Sequence, residues 1–251
     1  MVSIDLNSDM GESFGAYALG DDEGMLGYVT SANVACGWHA GDPMVMARVV
    51  ASAKRHGVAV GAHPGYPDLM GFGRRPMKLS SEEITNYMKY QIGALMAFAQ
   101  SEGMRLQHVA PHGALGNLCQ YDMEASRAIC AAVAQIDASI MVYFCAGAVL
   151  GVAAEEMGLR AVSEIFADRA YMDDLSLAPR SMPGAMITDE ETAIRRCVKM
   201  IREGKVTTVT GKEVAIAGDT LCIHGDGPKA LPFAKSIREA FASEGILVAR
   251  P

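Results

Sequence analysis

The chain has 251 residues, half of them hydrophobic, and its 22 Lys and Arg are outnumbered by 29 Asp and Glu, which gives a formal net charge of −7. This length suits one α/β barrel, so we expect a single domain over residues 1–251. The acidic balance and the lack of a basic cluster exclude nucleic acid as an expected partner, and the longest apolar runs are too short to predict a membrane span.

The amino terminus and the cysteines indicate the compartment. The first residues, MVSIDLN, lack the basic flank and the apolar core of a signal peptide. The cysteines have no C-x-x-C spacing and mostly apolar neighbours, which is typical of small buried side chains in a reducing cytosol. They are Cys36, Cys119, Cys130, Cys145, Cys197 and Cys222. We therefore expect a soluble, cytoplasmic protein.

Strand and helix patterns alternate along almost the whole chain. The predicted strands are 3–7, 28–35, 58–63, 106–111, 140–145, 161–167 and 220–224, with an eighth at 246–249. The predicted helices are 44–56, 80–102, 123–136, 148–157, 189–203 and 229–243. Glycines follow five of these helices at the C-cap position, and residues 206–216 alternate around a Gly-Lys turn, as in a β-hairpin. Repeated β/α units predict an α/β fold with a parallel sheet, open or closed into a barrel.

The stretch 33–43, NVACGWHAGDP, connects the second predicted strand to its helix. Asp42 is placed as the N-cap and Pro43 at the first helical position. Gly37 and Gly41 allow a tight turn and a close approach to a ligand. His39 on this turn is either a functional group or an ordinary turn residue.

Polar side chains follow the predicted strands rather than the helices. Because the carboxyl ends of parallel strands meet at one edge, and ligands bind there, we expect these side chains to form a site. The candidate acid/base residues are Asp9, Glu12, His39, His63, His112, Glu164, Asp168, His224 and Asp226. The candidate substrate-binding residues are Asn7, Asn33, Asp42, Arg74, Arg75 and Arg169. His56, before a C-cap glycine, is expected to be structural, and His108 to be either buried or site-lining.

Two kinds of chemistry remain open for these residues. Histidines and carboxylates suit a divalent metal, with Asp9, His39, His63 and His112 as candidate ligands, although no metal-binding motif is present. The same groups can act as general acids and bases while arginines hold carboxylate or phosphate oxygens. The sequence around Ser13 matches G-x-S-x-G but lies beyond the strand, which argues against a serine hydrolase. Cys36 is expected to be a buried thiol.

Seven motifs, in order along the chain, resemble the LamB/YcsF family. They are DLNSDMGE at 5–12, NVACGWHAGDP at 33–43, GAHPGYPD at 61–68, GFGRR at 71–75, PHGAL at 111–115, EIFADR at 164–169 and CIHGD at 222–226. The resemblance covers essentially the whole chain. It implies a TIM-like β/α barrel of about seven parallel strands, of the glycoside hydrolase/deacetylase kind.

The family includes the A subunit of bacterial ATP-dependent 5-oxoprolinase. The resemblance therefore implies cleavage of 5-oxo-L-proline to L-glutamate, with ATP as co-substrate and two partner subunits, B and C. An unstrained, resonance-stabilised lactam explains the coupling to ATP. Water attack calls for a His or carboxylate base, and the substrate carboxylate for arginines.

The chain departs from the family pattern after the fourth predicted strand. Ala110 and Gly116 stand where the family usually has Lys and Tyr. A lysine there would suit a phosphate, so the departure keeps two alternatives open. One is a metal-dependent, deacetylase-like hydrolase of a small amide, and the other is a non-catalytic ligand-binding subunit.

Overall fold

Seven parallel strands close into a barrel in this computed structural model, which describes residues 2–225 and 230–251. The strands are β1 (Ser3–Met10), β2 (Ser31–Ala35), β3 (Ala59–His63), β4 (Leu106–Val109), β5 (Met141–Cys145), β6 (Ala161–Phe166), β7 (Lys205–Thr207), β8 (Glu213–Ala215), β9 (Thr220–Cys222) and β10 (Leu247–Val248). The order around the barrel is β1-β2-β3-β4-β5-β6-β9, and β9 pairs back onto β1. β10 pairs in parallel with the first residues of β1, while β7 and β8 form an antiparallel hairpin.

Helices cover the outside of the barrel. In the described part of the chain they are α1 (Asp22–Met25), α2 (Pro43–His56), α3 (Ser81–Ser101), α4 (Gly113–Leu118), α5 (Met123–Asp137), α6 (Val149–Glu156), α7 (Glu190–Glu203) and α8 (Ala230–Ser243). Asp42 caps α2 by accepting from Met44 N and Val45 N, and Ser80 forms a capping box with Glu83 at the start of α3. None of the described helices is both long and apolar enough to cross a bilayer.

The predicted parallel barrel is confirmed, and so is the hairpin between α7 and β9. Predicted and observed boundaries differ by up to three residues: β1 ends at Met10 instead of residue 7, and β2 begins at Ser31 instead of residue 28. The sequence did not predict α1 or α4. Both are short, and α4 contains Gly113 and Gly116, which disfavour helix in isolation. The five C-cap glycines have positive φ values, for example 67° at Gly57.

Residues alternate along each strand between the outside of the barrel and its lumen. Ile4 and Leu6 of β1 belong to the apolar core, whereas Asp5 and Asn7 belong to a polar interior. Asp5 accepts a hydrogen bond from the Tyr143 hydroxyl of β5 at 3.2 Å, across the lumen from its own strand. The barrel therefore has a polar lumen enclosed by an apolar shell.

Candidate active site

The site lies at the carboxyl end of the barrel strands, in a cavity of about 760 Å³. Asp9 near the end of β1, His63 at the end of β3 and His112 after β4 line one side of it. Glu164 of β6 and His224 after β9 also line it. The expected edge of the parallel sheet thus carries the polar side chains.

Three histidines, His39, His63 and His112, form a buried cluster. The His39 and His112 rings are stacked, with centroids 3.7 Å apart and planes 5° from parallel. His112 Nδ1 lies 2.8 Å from His63 Nε2, and His63 Nε2 lies 3.3 Å from Asp9 Oδ1. Glu12 Oε1 is 3.7 Å from His39 Nε2 and 3.9 Å from His112 Nδ1. Five residues from four separate segments of the chain therefore meet at one point.

Backbone carbonyls fix the protons on two of these rings. His63 Nδ1 donates to Ala110 O at 2.6 Å, and His112 Nε2 donates to Phe72 O at 2.8 Å. A neutral His112 must then accept at Nδ1, so His63 must donate from Nε2 as well. When no cation is bound, His63 is therefore an imidazolium, and Asp9 is its counter-charge.

The electrostatic environment agrees with this assignment. Burial alone would lower the pKa of His63, but the Asp9 carboxylate outweighs it and raises that pKa to about 9. Burial and the nearby His63 charge lower the pKa of His112 to about 3. Two touching imidazoles thus differ in charge at neutral pH, which is typical of acid/base sites.

The same cluster also has the donor set of a metal centre. Glu12, His39, His63 and His112 each offer a ligand atom, and these atoms lie within 4.8 Å of one another. Within residues 2–225 and 230–251, neither ring nitrogen of His39 has a hydrogen-bond partner. His63 and His112 each donate their other ring N–H to a backbone carbonyl, as metal-ligating histidines commonly do. The residues present therefore fit a divalent cation.

Asp168 and His224 form a separate acid/base pair. His224 Nδ1 lies 2.8 Å and 2.9 Å from the two carboxylate oxygens of Asp168. Burial opposes protonation of His224, but Asp168 raises its pKa above the usual value. A carboxylate that holds Nδ1–H in this way leaves Nε2 to accept a proton, the arrangement of a general base.

Glu164 and Arg169 line the cavity beside this pair. Their exposed fractions are 8% and 7%. Glu164 Oε1 and Arg169 Nε have no hydrogen-bond partner among the described residues. Burial raises the pKa of Glu164 to about 7, with Asp9 adding to the effect. Burial and the nearby Arg180 lower the pKa of Arg169.

The predicted asparagines lie directly below the site. Asn33 donates to Asp9 Oδ1 at 2.9 Å and to Asn7 Oδ1 at 2.8 Å. His108 Nε2 donates to Asn33 Oδ1 at 2.7 Å, which fixes the orientation of the amide. Asn7 donates in turn to Thr220 Oγ1 at 2.7 Å. His108 therefore belongs to the polar lumen.

Asp42 and Arg75, two other predicted site residues, are engaged in local hydrogen bonds. Asp42 is engaged as the α2 cap and also accepts from Gly15 N at 2.8 Å. Arg75 pairs with Asp68 through Nε at 2.9 Å, within its own loop. Arg74 lines the cavity, with its guanidinium 4.7 Å from the centre of the Phe72 ring. Asp226 lies outside the described residues.

Some parts of the site have no signal in the sequence. The Ala110 and Phe72 carbonyls act through the backbone, so no side-chain pattern could identify them. Phe72 has a φ of 55°, a left-handed conformation unusual for a bulky residue. Cys36, in contrast, is buried as predicted, and burial raises the pKa of its thiol to about 12.

Comparison with known proteins gives matches over the whole chain. A model of the LamB/YcsF family matches residues 4–251. The chain is 52% identical over 247 residues to the A subunit of 5-oxoprolinase from Pyrococcus abyssi, covering 98% of this chain and 97% of the relative. It is 51% identical over 248 residues to the A subunit of 5-oxoprolinase from Campylobacter jejuni strain 81-176, covering 99% and 97%.

A solved structure agrees with the fold in detail. The chain superposes on the crystal structure of the lactam utilization protein from Thermus thermophilus with a TM-score of 0.94. The two chains are 50% identical, and the alignment covers 99% of this chain and 100% of the other. The similarity thus extends over the barrel and its loops together.

Proposed function

Since the chain belongs to the LamB/YcsF family, we propose that it cleaves 5-oxo-L-proline to L-glutamate as the A subunit of an ATP-dependent 5-oxoprolinase. The observation that carries the proposal is the pairing of two acid/base centres in one cavity. One is the His63–His112 pair with Asp9, and the other is Asp168–His224. Relatives at about half identity, which are named as A subunits of 5-oxoprolinase, support the choice of substrate.

The two centres suit hydrolysis of an amide. His224 Nε2 accepts a proton from water as the water oxygen bonds to the lactam carbonyl carbon. The His63 imidazolium stabilises the negative charge that develops on the carbonyl oxygen. When the C–N bond breaks, the electron pair goes to the ring nitrogen, which takes the proton that His224 Nε2 received from water and becomes the amino group of glutamate.

Coupling to ATP follows from the substrate, because a five-membered lactam is an unactivated amide. We propose ATP as co-substrate of the assembled enzyme, where it is hydrolysed to ADP and phosphate as the lactam is opened. We also propose two further subunits, B and C, as partners. The word "subunit" in the names of the relatives supports an assembly of several chains. Buried cysteines without disulfides support a cytoplasmic location for this chain.

The donor cluster favours a second candidate, a metal-dependent hydrolase of a small amide that needs no ATP. Glu12, His39, His63 and His112 would hold the cation, and a bound divalent ion would polarise the carbonyl oxygen or acidify water. Binding requires His63 to lose its Nε2 proton, so a cation and a proton compete for this position. Calorimetric titration of the full chain with Zn²⁺ and Mn²⁺, compared with His39→Ala, tests the cluster directly.

The two departures from the family pattern, Ala110 and Gly116, bear on the choice between these two candidate functions. Ala110 is buried, and its carbonyl, which any residue would supply, holds His63. A Cβ atom at Gly116 would lie 2.6 Å from Pro111 O, so this backbone is shaped for glycine. The missing lysine and tyrosine side chains therefore leave the two acid/base centres intact.

Reconstitution tests the proposed function. We would measure glutamate release from 5-oxoproline by this chain with its two partner subunits, with and without ATP. ATP-dependent glutamate is the expected result. Release without ATP would favour the metal-dependent hydrolase. If the partners are competent with another A subunit but inactive with this one, the proposed function is wrong.

A further inference from the structure

Glu164 and Arg169 line the same cavity, one from β6 and the other from the loop that follows β6; we call this part of the lining the wall. Cys145 of β5 is in register with Glu164 of β6, and Arg169 follows three residues after the end of that strand. Arg169 uses one terminal nitrogen to donate to Ala178 O at 2.7 Å, which anchors the guanidinium. The side chain is therefore held in place, yet its Nε–H has no acceptor among the described residues.

These two side chains carry an unusual combination of polar atoms. A buried hydrogen-bonding atom without a partner costs free energy, and natural proteins seldom tolerate one without a reason. Here an acceptor, Glu164 Oε1, and a donor, Arg169 Nε, are both without partners in the part of the chain that the structure describes. Both residues line the same cavity. A ligand that supplies a donor and an anionic acceptor would satisfy both.

The charges narrow the class of ligand. At one end of the wall Glu164 offers a carboxylate oxygen, with Asp9 and the imidazoles of His63 and His224 close enough to act on its pKa in opposite directions, so this end suits a hydrogen-bond donor. Arg180 and Arg74 lie close enough to Arg169 to lower its pKa, so the other end is cationic. A polyanion would suit only the end at Arg169, and a neutral amide would leave the Arg169 guanidinium without an anionic partner. An amide N–H next to a carboxylate suits both.

We propose that Glu164 and Arg169 form the recognition wall of the site, where Glu164 accepts the amide N–H and Arg169 binds the carboxylate of an N-acyl α-amino acid. The inference rests on the proposed function for its substrate, since 5-oxoproline is the cyclic member of this class. It adds the residues that bind the amide N–H and the carboxylate of the substrate. It also assigns Glu164 to binding the ring nitrogen.

Equilibrium binding to the full chain tests the wall without requiring turnover. The ligands are 5-oxo-L-proline, 2-pyrrolidinone, which lacks the carboxylate, and N-methyl-5-oxo-L-proline, which lacks the N–H. Wild-type protein should bind 5-oxoproline about 10- to 100-fold more tightly than either analogue, the range for a lost charge-assisted hydrogen bond. Arg169→Gln should abolish the preference over 2-pyrrolidinone, and Glu164→Leu the preference over the N-methyl analogue.

Selectivity ratios separate recognition from structural damage. A variant that merely disturbs the fold binds all three ligands more weakly by the same factor, and that result would overturn the proposal. So would a wild-type chain that fails to bind 5-oxoproline or to distinguish it from the analogues. Arg127→Gln is the matched control, because Arg127 pairs with Glu156 on the outer helices. Failure of glutamate release in the reconstituted enzyme, with selective binding intact, would instead contradict only the proposed function.

Discussion

Two polar layers lie in the same barrel, and they differ in how completely their hydrogen bonds are satisfied. In the lower layer, Asp5 accepts from the hydroxyls of Thr30, Ser31, Tyr143 and Thr220 at 2.6–3.2 Å. In the upper layer, His39, Glu164 and Arg169 keep buried polar atoms without partners among the described residues. The lower layer is complete without a ligand, whereas the upper layer is arranged for one.

Whether buried polar atoms have hydrogen-bond partners distinguishes structural from functional polar residues better than burial does. Asp5 is fully buried and His63 is 5% exposed, so accessibility would place both in the core. Asp5 accepts its side-chain hydrogen bonds from hydroxyl groups alone. His63 is held between a carbonyl, a carboxylate and a second imidazole. Substitutions in the two layers should therefore have different consequences, for activity in one and for stability in the other.

The largest effect is expected in the upper layer, from His63→Ala or His112→Ala. Either change removes one ring of the proton-sharing pair, and we expect glutamate formation to fall by about 10²- to 10⁴-fold, the usual contribution of a general acid or base. Circular dichroism should show a folded protein. His56→Ala, at the end of α2 and away from the cavity, serves as the control. Retained turnover in both variants would remove the pair from the mechanism.

A substitution in the lower layer should reduce the stability of the protein instead of its activity. Asp5→Ala removes the acceptor that four hydroxyl groups share, three of them on buried residues, and we expect the free energy of unfolding to fall by about 3 kcal/mol. Urea denaturation measures this loss. Glu155→Ala, an exposed position on α6, should change it by less than about 0.5 kcal/mol. An Asp5 variant of unchanged stability would show that this network does not support the fold.

At high pH, Glu164→Gln should raise the free energy of unfolding, whereas Asp5→Ala lowers it. Because burial raises the pKa of Glu164 from 4.5 to about 7, the folded protein keeps a proton between these values that the unfolded chain has lost. Stability therefore falls as pH rises through this interval and stays low above it. Replacing the carboxyl by an amide removes this penalty, which we expect to be about 2–3 kcal/mol at pH 8.

Thermal unfolding of wild type and Glu164→Gln at pH 4 and pH 8 checks the sign. The two proteins should be equally stable at pH 4, and the variant more stable at pH 8. A variant that is less stable at pH 8 would place Glu164 with the satisfied lower layer. A site residue that costs stability in the absence of ligand would agree with the role that we propose for it.

The barrel and the edge that carries the site were predictable from the sequence because both depend on local periodicity. C-cap glycines such as Gly57 and Gly204 mark the ends of helices by backbone conformation alone, and they were confirmed. The placement of polar residues after strands required only that the strands be parallel. Local patterns are therefore sufficient to locate the cavity.

The grouping of those residues was not predictable, because it depends on contacts between distant segments. Arg75 is engaged by Asp68 and Asp42 by the start of α2, both local hydrogen bonds that compete with ligand binding. His108 looks the same in sequence as a site histidine, yet it lies a layer lower, bonded to Asn33. Alternation along the strand fixes which side of the barrel a residue faces, but not its depth in the lumen.

Asn33 joins the two layers, and its replacement should have the smallest effect on each. Its amide nitrogen donates upward to Asp9 and sideways to Asn7, while its oxygen accepts from His108. Asn33→Ala should lower kcat about 10-fold, as for residues that orient a catalytic group, and destabilise the fold by about 1–2 kcal/mol. Rate and unfolding measurements on the same sample decide between the layers. If only kcat changes, Asn33 belongs functionally to the site. If only the free energy of unfolding changes, Asn33 belongs to the lower, structural layer, which then reaches up to Asp9.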